Sequence, residues 1–196
     1  MPVSAPTVYI LAGPNGAGKT SLFQYEALAV PRLNGDSLYQ QGLGVAEVDA
    51  ALRQQLTAWL AQRLSFVMET NAASERDYAL FNALKKADYR LEFRYVGLDS
   101  VALCQSRVAQ RVIEDGHDVP PALIQQRYSN GLSLLKQHYQ LFDRLQLYDN
   151  TGPVIRQLAD FIPGRPLQQI GKPVAWALPV VAHIQQMESI YQRFQK

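Results

Sequence analysis

Apolar residues along the chain keep two different periods, and the places where the period changes outline the fold. Short apolar runs with branched or aromatic side chains fall near 7–12, 65–69, 90–98 and 145–149, and each ends in a turn or cap signal. That pattern predicts strands. A further short strand is expected to include Arg32-Leu33-Asn34. Between them, apolar positions spaced three and four apart predict helices near 19–29, 45–63, 75–87, 100–114 and 121–143, with Ser74 and Asp99 or Ser100 as N-caps. Strands alternating with helices imply an α/β fold with a mainly parallel central sheet flanked by helices. In such sheets ligands bind beyond the carboxyl ends of the strands.

After Thr151 the rhythm shortens. Val154–Leu158 and Pro166–Ile170 read as extended runs around the turn Pro163-Gly164-Arg165, a hairpin, and a last helix is expected from Pro179 to Phe194. With 196 residues, the chain suits one domain over 1–196, with a helical lid at about 100–130 and a C-terminal hairpin and helix at about 151–196.

The first strand run leads straight into the chain's most informative motif. Gly13-Pro14-Asn15-Gly16-Ala17-Gly18-Lys19-Thr20 is a complete G-x-x-x-x-G-K-[ST] phosphate loop, followed by the helix-like Ser21–Leu28. Its glycines let backbone N–H groups turn inward around phosphate oxygens, and the helix N-terminus adds its positive dipole. The expected roles are nucleotide binding by Gly13 through Ser21, neutralisation of the β- and γ-phosphates by Lys19, and a hold on Mg²⁺ by Thr20. A P-loop NTPase of kinase type, using ATP and Mg²⁺, is the fold expectation.

The strand ends supply the remaining chemistry. Asn34-Gly35-Asp36-Ser37 puts a carboxylate close behind the second strand. Asp36 suits a general base that takes the proton of an attacking hydroxyl, a place in the Mg²⁺ shell, or a simple turn. Glu69-Thr70-Asn71 ends the third strand and suits a grip on a hydroxylated acceptor; Glu69 also fits a Walker B carboxylate, and helix capping needs only one of the three. Asp99 precedes a helix and is read as a cap. Arg107 and Arg111 are four apart and share a helix face, with Arg127 on the next helix. Planar guanidinium groups closing over ATP stabilise a transferring phosphoryl group and expel water.

Composition changes this picture only at its edges. A net charge of +2 with scattered basic residues argues against a nucleic-acid surface. No apolar stretch approaches a membrane span, and the start Met1-Pro2-Val3-Ser4-Ala5 lacks the basic and apolar regions of a signal peptide. The single cysteine, Cys104, excludes an internal disulfide and falls on an apolar helical position, which agrees with a cytoplasmic protein.

Taken together these motifs resemble the zeta-toxin family of P-loop kinases, particularly its short chromosomal members. The likeness covers roughly residues 7 to 150 and is carried by Leu11–Thr20, Leu33–Asp36, Phe66–Thr70, Gly97–Asp99, Arg107–Pro120 and Leu147–Asn150. The resemblance implies transfer of the ATP γ-phosphate to the 3′-hydroxyl of a UDP-linked amino sugar, typically UDP-N-acetylglucosamine. It assigns Asp36 as general base, Glu69 and Thr70 to acceptor binding and Arg111 to phosphate. Two positions depart from it: His117 or Asp118 stands where longer toxins have a second arginine, and Tyr39 where several have a basic residue. No antitoxin-like segment is evident. A nucleotide-dependent switch acting through a protein partner is the other reading, with Trp176, Leu178, Val181, Ile184 and Tyr191 as its candidate docking face.

Overall fold

The computed structural model describes residues 5–35, 38–39, 42–113 and 118–194. Among these, the strands are β1 (Thr7–Ala12), β2 (Arg32–Leu33), β3 (Phe66–Glu69), β4 (Arg90–Gly97), β5 (Arg144–Asp149), β6 (Arg156–Phe161) and β7 (Gln168–Gln169). The helices are α1 (Lys19–Glu26), α2 (Val45–Ala61), α3 (Glu75–Lys86), α4 (Val101–Ile113), α5 (Pro121–His138) and α6 (Leu178–Phe194). All seven strands join one sheet in the order β2-β3-β1-β4-β5-β6-β7. The first five are parallel; β6 and β7 are antiparallel to their neighbours.

Period-two alternation decides which side chain goes to which face. On β1, Val8, Ile10 and Ala12 enter one core with Phe93 and Tyr95 of β4, Tyr78 and Phe81 of α3, Leu134 and Leu135 of α5, and Val180 and Ile184 of α6. Leu11 enters the opposite core with Leu22 of α1, Val67, Val96, Cys104 and Val108 of α4, and Ile124. Cys104 is thus a core residue, and burial raises its thiol to about 11, leaving it an unreactive thiol near neutrality. Phe93 stacks on Phe142 with centroids 4.1 Å apart, and each fully buried aromatic of this kind contributes about 2–3 kcal/mol.

The expected elements are present, with three instructive shifts. The first helix ends at Glu26 rather than near 29, because Ala27 turns left-handed (φ 46°) and its N–H closes on Phe23 O. Glu26 is ill-placed at a helix C-terminus; Arg94 Nε of β4 compensates at 2.6 Å, and Tyr148 donates to Glu26 at 2.9 Å. The long helix expected over 121–143 stops at His138 and tightens into a 3-10 turn over Tyr139–Leu141. That turn buries Tyr139 and delivers Phe142, in extended conformation, to the core.

The hairpin after Thr151 joins the main sheet. Its strands sit at 156–161 and 168–169, and β6 pairs with β5, extending the main sheet. A register shift at Leu147/Tyr148 allows consecutive Leu158 and Ala159 both to be buried. The last helix and the turn before it cover a sheet face: Trp176 of the turn and Val180 and Ile184 of the helix are buried, so of the proposed docking face only Leu178 and Tyr191 are substantially exposed. Among the described residues, no helix is long and apolar enough to cross a membrane.

Candidate active site

β1 is flanked by β3 and β4, so successive connections leave its end in opposite directions. The crevice this creates is where ligands of open α/β sheets bind, and the phosphate loop lies in it. Three glycines shape the loop with positive φ: 137° at Gly13, 78° at Gly16 and 93° at Gly18. Each is also crowded. A Cβ at Gly16 would lie 2.6 Å from Cys104 O, and one at Gly18 would lie 2.1 Å from Asn150 Nδ2. The loop therefore needs both the conformation and the size of glycine.

Lys19 folds over the loop, with Nζ donating to Gly13 O at 2.8 Å, Pro14 O at 3.1 Å and Asn71 Oδ1 at 3.5 Å. Thr20 and Ser21 are exposed in the first turn of α1. Lys19 and Thr20 line a cavity of about 390 Å³ with Asn15, Asn34, Tyr39, Arg107 and Arg111. Arg107 and Arg111, on one face of α4, thus line the same cavity as the phosphate loop. Arg127 sits elsewhere. It lines a second, larger groove of about 720 Å³ between α2 and α3, while its Nη1 donates to Asn15 Oδ1 of the phosphate loop at 2.8 Å.

Gly35, Leu52, Glu69, Thr70 and Asn71 line both spaces, so the two cavities meet at the ends of β2 and β3. The larger groove is apolar along Leu33, Leu56, Met68, Leu80 and Leu123, with Asp49, Arg53, Arg76 and Gln126 as polar contacts. Such a mixture and size are ordinary for a small-molecule site.

The Glu69-Thr70-Asn71 strand end is more committed to its surroundings than its sequence shows. The Thr70 hydroxyl donates to Asp77 Oδ1 at 3.0 Å and accepts from Ala72 N at 3.0 Å, tying the strand to the capping box in which Ser74 and Asp77 cap α3. Glu69 pairs with Arg32. Ser100 rather than Asp99 caps α4, accepting from Leu103 N at 3.2 Å. Asp36 and His117 lie outside the described residues.

A network that sequence reading missed supports the loop from the far side. Asn150, after β5, donates to Ala17 O at 2.8 Å. Its neighbour Asp149 is 1% exposed and accepts from Trp176 Nε1 at 3.2 Å, Thr151 Oγ1 at 2.7 Å and Arg156 Nε at 3.1 Å. Its sequence signals were a polar Asp-Asn-Thr run closing an apolar strand and the place of Leu147–Asn150 among the motifs of the resemblance; its partners are remote in the chain. Burial alone would raise the Asp149 carboxyl, but the hydrogen bonds from Thr151, Trp176 and Arg156 and the Arg156 charge outweigh it and hold the group below the ordinary carboxylate range.

A depressed folded-state value contributes stability above the unfolded value, about 3.9, and that contribution is lost as pH falls through the folded value. Asp149→Asn is therefore expected to lower stability by about 2 kcal/mol near neutrality and by less in acid. Scanning calorimetry on both proteins from about pH 7 to 3 checks this. Parallel melting curves with a constant offset would refute it.

No family model matches the chain, and no curated protein matches it. Solved structures do. A chain of the AvrRxo1-ORF1:-ORF2 complex with ATP superposes with a TM-score of 0.65 at 14% identity, covering 84% of this chain and 60% of that one. A chain of the PezAT chromosomal toxin–antitoxin system of Streptococcus pneumoniae gives 0.62 at 15% identity, covering 95% and 86%. A putative kinase from Chloroflexus aurantiacus gives 0.50 at 22% identity, covering 65% and 80%. The chain thus spans about 60% of the length of the AvrRxo1 chain. At these identities the likeness establishes the fold alone, the α/β fold of P-loop NTPases. A P-loop fold shared with a chain of a toxin–antitoxin system agrees with the resemblance to zeta toxins read from the motifs.

Proposed function

We propose that the protein is an ATP-dependent phosphotransferase that moves the γ-phosphate to a hydroxyl of a small molecule, with a UDP-amino sugar such as UDP-N-acetylglucosamine as acceptor. One observation carries the reading: the phosphate-loop cavity and the α2/α3 groove share a wall at the ends of β2 and β3, and Arg127 spans from the groove to Asn15. A donor in one space and an acceptor in the other would meet there, so catalysis reduces to positioning and charge stabilisation.

In this scheme the loop amides and Lys19 bind the phosphates, and Arg107, Arg111 and Arg127 stabilise the charge of the transferring group. Asp36 follows the shared-wall residue Gly35 in the chain and takes the proton from the acceptor hydroxyl. Glu69, Thr70 and Asn71 form the acceptor platform; since the Thr70 proton is used by Asp77, Thr70 offers the acceptor a lone pair rather than a donor. Thr20 offers a hydroxyl and Glu69 a carboxylate, hard oxygen donors that suit Mg²⁺ alongside nucleotide phosphates. Mg²⁺ would neutralise charge on the β- and γ-phosphates. ATP supply places the activity in the cytoplasm.

Two of the structural neighbours come from two-component assemblies, and that favours a second reading, a nucleotide-dependent switch acting through a protein partner such as an antitoxin. ADP release measured with UDP-sugars, nucleosides and polyols separates the two. The kinase reading expects acceptor-dependent ADP release that falls at least about a hundredfold in Asp36→Ala while ATP still binds. Turnover that rises only with a co-purified protein, and with no acceptor, would support the switch.

A further inference from the structure

Arg32 carries a feature that no motif in the sequence announces. It opens the two-residue strand β2, and its Nη2 donates to Thr20 Oγ1 at 3.0 Å. The same nitrogen forms an ion pair with Glu69 Oε1. The guanidinium also lies over the Phe23 ring, 4.6 Å from its centroid. The Glu69 side chain is only 6% exposed and that of Arg32 23%, so the pair is largely removed from water and the carboxylate depends on a neighbouring cation. A hydroxyl and a carboxylate oxygen converging on one positive centre is a donor set that a hard divalent ion takes beside nucleotide phosphates. Here the positive centre belongs to the chain itself.

We propose that Arg32 is a resident counter-cation, holding Thr20 and Glu69 together in the nucleotide-free protein and giving way to the divalent ion that arrives with the nucleotide. The inference rests on the reading of Thr20 and Glu69 as the metal-facing pair. A metal ion alone would have to displace a guanidinium held by a buried carboxylate and an aromatic face, with only two protein oxygens in return. A metal ion already carried by nucleotide phosphates brings most of its ligands with it. Arg32 therefore acts as a positioning residue that couples metal entry to nucleotide entry, and it holds Glu69 beside Thr20 between turnovers.

The test is Mn²⁺ binding to nucleotide-free protein, followed by electron paramagnetic resonance, so that the readout does not depend on activity. Arg32→Gln is expected to bind Mn²⁺ at least about tenfold more tightly than the natural chain, because a positive charge is removed from the site. Adding Glu69→Gln to that variant should abolish the gain. Unchanged Mn²⁺ affinity in folded Arg32→Gln, or a gain that survives Glu69→Gln, overturns the proposal.

A second measurement needs no variant: the ¹⁵Nε resonance of Arg32 should move when Mg²⁺ and ADP are added together and stay in place with ADP in EDTA. A resonance unmoved by Mg²⁺ with ADP also overturns it. If ADP and Mg²⁺ bind while Arg32 stays in place, this inference fails and the kinase reading stands; if ADP does not bind at all, both fail.

Discussion

Lys19→Met is expected to reduce kcat/KM for phosphoryl transfer by at least about a thousandfold while leaving the protein folded. The two effects separate because Lys19 has two sets of duties. Its structural bonds go to Gly13 O and Pro14 O, with a longer one to Asn71 Oδ1, and Pro14 O also accepts from Ala17 N at 3.2 Å. Losing them costs on the order of 1 kcal/mol, a few degrees of melting temperature for a chain of this size. Its chemical duty is proposed to be charge neutralisation where the β- and γ-phosphates sit, and a methionine of similar length supplies none of it. Steady-state kinetics with ATP as the varied substrate, beside a thermal melt, reads both quantities. Near-normal transfer by Lys19→Met would remove the phosphate loop from the mechanism.

Gly13→Ala acts on folding before it acts on chemistry. The added Cβ would lie 2.2 Å from Val96 O, and the backbone there has φ +137°, which residues with side chains rarely adopt. The obstructing atom belongs to β4, a strand hydrogen-bonded on both sides by β1 and β5, so it has nowhere to move. Backbone strain and overpacking together are expected to cost about 2–6 kcal/mol. That is a large share of a typical domain's stability and lowers the melting temperature by on the order of 10 °C. Gly152→Ala is the matched control, since a Cβ there meets nothing within 4 Å, and its melt should be unchanged. Equal melting temperatures for the two variants would mean that the loop does not approach β4 as described.

How far the sequence could be read depended on the range of the interactions involved. The apolar run of β1 and its immediate sequel, Gly13–Thr20, are local patterns, and both the strand and the loop lie where they were expected. Arg107 and Arg111 share a cavity with the loop for an equally local reason, one turn of helix. Arg127 was expected in the same clamp; it lines the adjoining groove and reaches the loop through Asn15, a contact that spans 112 positions and no local pattern announces.

The misses are long-range as well. Arg32 read only as part of a short strand, since its value depends on Thr20 and Glu69 meeting it in space. Asp149 gained its importance from Trp176 and Arg156, neither predictable by spacing. The C-terminal hairpin was recognised as a hairpin but not as part of the main sheet, because which edge a strand joins is decided by buried pairs such as Leu145 opposite Phe161. Asp36, the proposed base, lies outside the described residues and rests on its sequence position alone.

The claim that a phosphoryl group passes from one cavity to the next is tested most directly by ³¹P NMR of the protein incubated with ATP, Mg²⁺ and UDP-N-acetylglucosamine. A new phosphomonoester resonance is expected to grow in step with ADP and to be absent with Asp36→Ala. ADP accompanied only by inorganic phosphate, across that sugar nucleotide and the wider panel of acceptors, would contradict it.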